Sequence, residues 1–206
     1  MLSTHPELAG IVRPAWFTAE PVRVVLEDAA LEAGRRETTA RMRTAPEPAD
    51  TIAAVRTMYK RVGLDPTKTR PSSEALLRRV RKGDELPQIN TLVDIINWCS
   101  LETQLPYGLY DLGQIHGAAT LRLGLPGEEY EGIRKGAVHV AGRMTLADDT
   151  GPFGNPTSDS ARTMVTPATT RALVVIFAPI SIAESATTRA MELTRDRIAR
   201  FAAQTA

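Results

Sequence analysis

The hydrophobic pattern of this chain changes period at Pro106. Before that residue, apolar side chains recur at helical spacing; after it, short apolar runs alternate with glycine-bearing turns. Helices grouped first and strands grouped later specify an α+β fold, here mixed β-sheets packed with flanking helices. In the first part, Val25, Leu26, Ala29, Ala30 and Ala33 predict a helix over residues 21–36. The prolines of residues 44–50 break it, and Asp50 is placed to cap a second helix running to about Val62, where Gly63 stops it. Ser72 is a plausible N-cap for a third helix, with Leu76, Leu77 and Val80 on one face and Gly83 at its end. Residues 86–90 read as a short strand, after which Asn90 or Thr91 caps a helix through about Gln104.

Beyond Pro106, strands are expected at residues 108–112, 120–123, 138–141 and 144–147. Residues 151–163 are too rich in Gly, Pro and Ser to be an element. Residues 172–177 read as a buried strand, and residues 182–202 as a closing helix. No repeat or low-complexity tract interrupts this order.

A chain of 206 residues suits one domain with a sizeable core. Its single cysteine, Cys99, excludes a disulfide framework and a cysteine-cluster metal site. The richest apolar stretch, residues 172–182, is too short to span a bilayer and contains Pro179. The first 16 residues hold no basic region followed by an apolar block, so a cytoplasmic protein without membrane contact is expected. No cofactor and no metal are expected, and the residues set no oligomeric state.

Net charge is only +1, but its distribution is uneven. Residues 56–82 carry nine basic side chains (Arg56, Lys60, Arg61, Lys68, Arg70, Arg78, Arg79, Arg81 and Lys82) against Asp65 and Glu74, a local excess of +7. Such a segment is either an anion-binding face or a solvated helix face.

Three segments, in order, carry a family likeness. The first is the run of residues 59–80, YKRVGLDPTKTRPSSEALLRRV. The second comprises Leu86-Pro87-Gln88-Ile89-Asn90, Leu92-Val93-Asp94, Asn97, Leu105-Pro106 and Tyr110-Asp111-Leu112. The third is Ala147-Asp148-Asp149, Asp159-Ser160 and Arg162-Thr163. Together they resemble stand-alone B3/B4-domain proteins and the editing domain of the phenylalanyl-tRNA synthetase beta subunit. The resemblance implies a B3/B4-like domain over residues 48–206, with residues 1–47 an N-terminal helical or extended segment of the same domain. It also implies ester hydrolysis on a mischarged aminoacyl-tRNA. The synthetase pocket leans on a threonine, a histidine and a glutamate. The matching positions here are Ile96, Gly108 and Val175, which implies a more apolar pocket and an amino acid that is apolar or non-protein.

An aminoacyl ester is already activated. Its hydrolase needs chiefly to position a water, polarise the carbonyl and exclude bulk solvent. The polar loop of residues 154–163 offers Asp159 as general base, with Ser158 and Asn155 beside it. The bland alternative is a solvent loop using Asp and Ser for turn hydrogen bonds. Candidate pocket residues are Asn90, Asp94, Ile96, Asn97, Tyr107, Gly108, Thr157, Ser160, Thr163 and Val175. Asn90, Asp94 and Asn97 serve equally well to tie their helix to a neighbour. Tyr107 and Tyr110 either stack on a terminal adenosine or pack in the core. Candidate tRNA-binding residues are Lys60, Arg61, Lys68, Arg70, Arg78, Arg79, Arg81 and Lys82, although Arg79 is also placed to pair with Glu74 or Glu85. Asp148 and Asp149 suit the end of a strand better than a magnesium site. His116 and His139 have no partner evident from sequence, and a triad of Ser158, His116 and Asp111 is built of common residue types. The rival readings are a non-catalytic module binding tRNA or an amino acid, and an unrelated hydrolase or transferase acting on small esters.

Overall fold

The Val- and Ile-rich run expected as a buried strand lies at the centre of a three-stranded sheet. The computed structural model describes residues 2–203. In it, β9 (Ala172–Pro179) is buried at all eight positions, as a strand covered on both faces must be. It pairs antiparallel with β2 (Val12–Ala19) on one side and β3 (Tyr107–Asp111) on the other. The register sets Gly108 and Trp16 on opposite sides of Val175. A second sheet has the order β1 (Leu2–Thr4), β4 (Ala119–Leu123), β7 (Met144–Asp148), β8 (Gly151–Gly154). Only β1 and β4 pair in parallel there. A hairpin of β5 (Glu129–Glu131) and β6 (Ala137–His139) stands beside them.

The helices are α1 (Ala29–Thr44), α2 (Ala49–Arg61), α3 (Ser72–Arg81), α4 (Thr91–Thr103) and α5 (Glu184–Phe201). The fold is therefore α+β, as the change of period requires. Helix α4 is the central one, packing on α1, α3, α5 and β3. Its buried residues occur all round it, which an interior helix needs. Asn90 caps it, the side-chain oxygen accepting from the Val93 N–H at 3.0 Å. A main core joins the sheets to α4 and α5. A smaller cluster of Met42, Ile52, Leu77, Val80, Leu86 and Leu101 joins α1, α2, α3 and α4.

Several boundaries differ from expectation. The first helix begins at Ala29, not at Pro21. The backbone of Val22, Arg23 and Val25 is bonded instead to Thr170, Ala202 and Thr91, and Asp28 supplies the cap, accepting from the Leu31 N–H at 2.8 Å. Residues 86–90 form no strand. Side chains satisfy that backbone: the Pro87 carbonyl accepts from Arg35, and the Ile89 N–H donates to Asp94. Within the segment read as loop, residues 151–154 form β8, because Phe153 packs its buried ring edge-on to Tyr110 at 5.0 Å between centroids. Strands β1, β2 and β5 lie outside the expected set.

Candidate active site

A cavity of about 180 Å³ lies where α4 and β3 face the loop after β8. Val93, Ile96, Asn97 and Ser100 of α4 form one wall, and Tyr107 and Leu109 of β3 another. Ser72 and Leu76 of α3, Ile133, Met164 and Val165 close the sides, and residues 155–159 form the rim. Most of the lining is apolar, with a few polar groups converging on it, as small-molecule sites usually show.

The rim loop is built tightly. Asn155 is buried, and its Oδ1 accepts from the N–H groups of Thr157 and Ser158 at 2.8 and 2.9 Å. This is the turn-forming role that short polar side chains perform well. The Pro156 carbonyl accepts from the Tyr59 hydroxyl at 3.0 Å and the Ser72 hydroxyl at 3.2 Å. The Ser158 carbonyl accepts from Tyr130 at 2.5 Å, and Asn155 Nδ2 donates to that same phenol at 2.9 Å. Lys135 donates to the Ser158 hydroxyl at 3.0 Å. Tyr59 and Tyr130 thus hold the loop from two sides, and burial keeps both phenols protonated. The scaffold is rigid, which a site must be if it is to hold reacting atoms in place.

Asp159 is the one carboxylate in the cavity lining. The residue is partly exposed, yet its Oδ1 is buried and lacks a hydrogen-bond partner among the described residues. Burial pushes the carboxyl up to about 7, against the neighbouring Tyr110 hydroxyl, the Lys135 ammonium and the Leu109 N–H, which all favour the charged form. A carboxyl poised near neutrality in a cavity is suited to take and return a proton. Asn97 makes no side-chain hydrogen bond among the described residues, so its amide is free to meet a ligand.

Of the residues proposed from sequence, Asp159, Ser158, Asn155, Thr157, Ile96, Asn97 and Tyr107 come together around this cavity. Six others do not line it. Asn90 is spent as the α4 cap. Asp94 is buried against Arg35, whose guanidinium also reaches Glu32 and the Pro87 carbonyl. Burial raises the Asp94 carboxyl to about 6 even so. Ser160 and Thr163 bond each other at 3.2 Å inside the core. Val175 is fully buried in the central strand. Gly108 faces the Tyr110 ring, where a Cβ would lie 2.3 Å from the hydroxyl. Tyr107 and Tyr110 are both buried, so neither offers a face for stacking on a nucleoside. Tyr107 bonds Thr194 at 3.2 Å through its hydroxyl.

The other proposed groups are separate from the cavity. His139 pairs with Glu129 at 2.8 Å on the exposed hairpin, and the two oxygens of Asp111 accept from Gly113 and Thr169, so no triad with Ser158 and His116 forms. Asp148 is held by Arg162, and despite the opposing effect of burial its carboxyl is lowered from the usual aspartate value. The basic segment is partly neutralised. Glu74 takes Arg56 and Arg70, and Glu47 takes Arg81 at 2.7 Å. Arg61 and Arg79 donate to the carbonyls of Gly10 and Glu85, so Arg79 forms neither of the side-chain pairs expected of it. Lys60, Lys68, Arg78 and Lys82 are exposed and form no ion pair among the described residues. Tyr59 and Tyr130 escaped the sequence reading as site residues, because nothing local tells a tyrosine that holds a loop from one that fills a core.

Similarity to known proteins agrees with this fold. A phenylalanine–tRNA ligase beta subunit from Ralstonia nicotianae is 36% identical over 61 residues, which is 30% of this chain and 8% of that protein. The crystal structure of an N-terminal fragment of the phenylalanyl-tRNA synthetase beta subunit from Pyrococcus horikoshii superposes with a TM-score of 0.50 at 11% identity. It covers 97% of this chain and 48% of the fragment, a likeness of fold. The chain thus spans about half of that fragment and a small part of the ligase subunit. Among the described residues, no helix is long and apolar enough to cross a membrane. The B3/4 domain family matches residues 54–205, well over half of the sequence, and the chain belongs to that family.

Proposed function

We propose that this chain hydrolyses the ester of a mischarged aminoacyl-tRNA, acting in trans, on an amino acid that is apolar or non-protein. The observation that carries the reading is Asp159, a carboxyl raised to about 7 with a buried, unsatisfied oxygen at the rim of a mostly apolar cavity. The cavity volume of about 180 Å³ is near that of an engineered cavity which takes up benzene, about 150 Å³. One amino-acid side chain fits; a nucleotide does not. Leu76, Val93, Ile96 and Val165 would contact that side chain, and Asn97 is the amide free to bond its polar part.

In this reading Asp159 accepts a proton from a water as its oxygen attacks the ester carbonyl. The same carboxyl then returns the proton to the departing ribose oxygen, so the group ends as it began. The names of the ligase relatives bring tRNA to the proposal, and Lys60, Lys68, Arg78 and Lys82 are the cations available to its phosphates. A second reading, a module that binds tRNA or an amino acid without turnover, draws on the engagement of Asn155 within its own loop and of the Ser158 hydroxyl with Lys135. A deacylation screen separates the two. Purified protein is mixed with total tRNA charged separately with each amino acid and with several non-protein analogues. Release of one or a few amino acids above the spontaneous rate is expected. No release from any, with tRNA still bound, favours the binding module.

A further inference from the structure

Two polar atoms near the cavity are buried without a hydrogen-bond partner among the described residues: the Tyr110 hydroxyl and Asp159 Oδ1. Tyr110 is fully buried and its ring is clamped. A Cβ on Gly108 would lie 2.3 Å from its hydroxyl, and one on Gly154 would lie 2.4 Å from its Cε1. Phe153 packs on it edge-on. These neighbours fix where the hydroxyl sits, so it has no route to bulk water. A phenylalanine would fill the same space without the cost of an unmet buried hydroxyl. Asp159 pairs with Gly154 in an isolated antiparallel bridge, and a Cβ on Gly154 would lie 2.5 Å from the Tyr110 hydroxyl. Asp159 and that hydroxyl are therefore neighbours, and each alters the proton affinity of the other.

We propose that Tyr110 is a positioning residue for Asp159: its clamped hydroxyl donates toward Oδ1 and holds the carboxylate with Oδ2 aimed into the cavity. Its use in catalysis rests on the reading of Asp159 as the acid–base group; the pairing itself does not. The other titratable groups facing Asp159 are Tyr130 of β5 and Lys135 of the turn after it. Helices α3 and α4 add no ionisable side chain to the cavity lining. A hydroxyl that donates to the charged carboxylate lowers its pKa, so loss of that hydroxyl raises it.

The test is carbon-13 NMR titration of aspartate carboxyls in the full chain, with the Asp159 signal assigned by its loss in Asp159→Asn. In Tyr110→Phe the Asp159 midpoint is expected to rise by about one pH unit, the size of one hydrogen bond to a charged group. An unchanged midpoint in folded Tyr110→Phe overturns the proposal. In the unsubstituted protein, the labelled Tyr110 Cζ resonance should inflect at the Asp159 midpoint, and a flat Tyr110 signal overturns the pairing even if the variant does not fold. Coupled titrations in a protein that releases no amino acid from any charged tRNA would leave the pairing standing and remove the hydrolase. Hydrolysis lost in Asp159→Asn, with titrations uncoupled, would do the reverse.

Discussion

Replacing Asp159 by asparagine should stabilise the protein near neutral pH while removing its acid–base group. The carboxyl titrates at about 7 in the fold, against 3.8 for an unperturbed aspartate. Between those values the folded protein holds a proton that the unfolded chain has released. Stability contributed by this group is therefore full below the unfolded value and falls as pH rises through the folded one. From about pH 5 to about pH 7 the proton concentration falls by about two decades, and at about 1.36 kcal/mol per decade the loss amounts to about 3 kcal/mol. Water reaching the partly exposed residue screens part of this, so half of it, about 1.5 kcal/mol, is the expectation. For a chain of this length that is a Tm difference of about 4 °C. The assay is thermal unfolding of both proteins at about pH 5 and about pH 8. Asp94 and every other titrating group are common to both, so the difference isolates Asp159. Relative to the unsubstituted protein, Asp159→Asn should gain about 1.5 kcal/mol on going to the higher pH. A difference that does not change with pH would show that the Asp159 carboxylate is not strained by burial.

Other consequences follow from the same geometry. Gly154→Ala drives a Cβ to 2.4 Å from the Tyr110 ring, and overpacking of this kind costs about 1–3 kcal/mol in urea unfolding; an unchanged midpoint would contradict the clamp. Arg35→Met strands the buried Asp94 carboxylate, at a cost of about 3–5 kcal/mol at neutral pH. Because Asp94 titrates at about 6, the cost should shrink in acid as the carboxyl takes up a proton, and a pH-independent loss would refute the pairing. Reversing Lys60, Lys68, Arg78 and Lys82 to glutamate should weaken tRNA binding and flatten its salt dependence by about 0.7–0.9 per lost phosphate contact in the log–log slope. Binding with the same salt slope would move the RNA to another face.

What the sequence discloses about this molecule is what local rules govern. The helices over residues 49–61, 72–81 and 91–103 appear close to where their start and stop signals put them, but only Asn90 caps its helix. Asp50 and Ser72 lie within the first turns of theirs, after Pro48 and Pro71, and cap neither. Strand β9 is legible from its unbroken apolar run. Strand β2 is not. It contains Pro14, its buried positions do not alternate, and its partner lies more than 150 residues away. The start of α1 is hidden for a similar reason, since residues 22–25 are claimed by backbone bonds to distant segments. In the site, Asp159, Asn155, Ser158 and Thr157 are legible as a polar loop, but their division of labour is not. Only the fold shows that Asn155 is used up in the turn while Asp159 keeps a buried oxygen unmet. The pattern of short apolar runs located the strands that hold Gly108 and Val175, yet the likeness that put a pocket there met a space at Gly108 taken by Tyr110, two residues along the same face of β3.

The most direct test of the central claim is single-turnover hydrolysis. The aminoacyl-tRNA released most rapidly in the screen is incubated with excess protein, either unsubstituted or Asp159→Asn, across pH. Loss of a general base predicts a rate lower by about a hundredfold or more in the variant, and a profile for the unsubstituted protein that rises through about pH 7. Equal rates for the two proteins would contradict the assignment of the chemistry to Asp159.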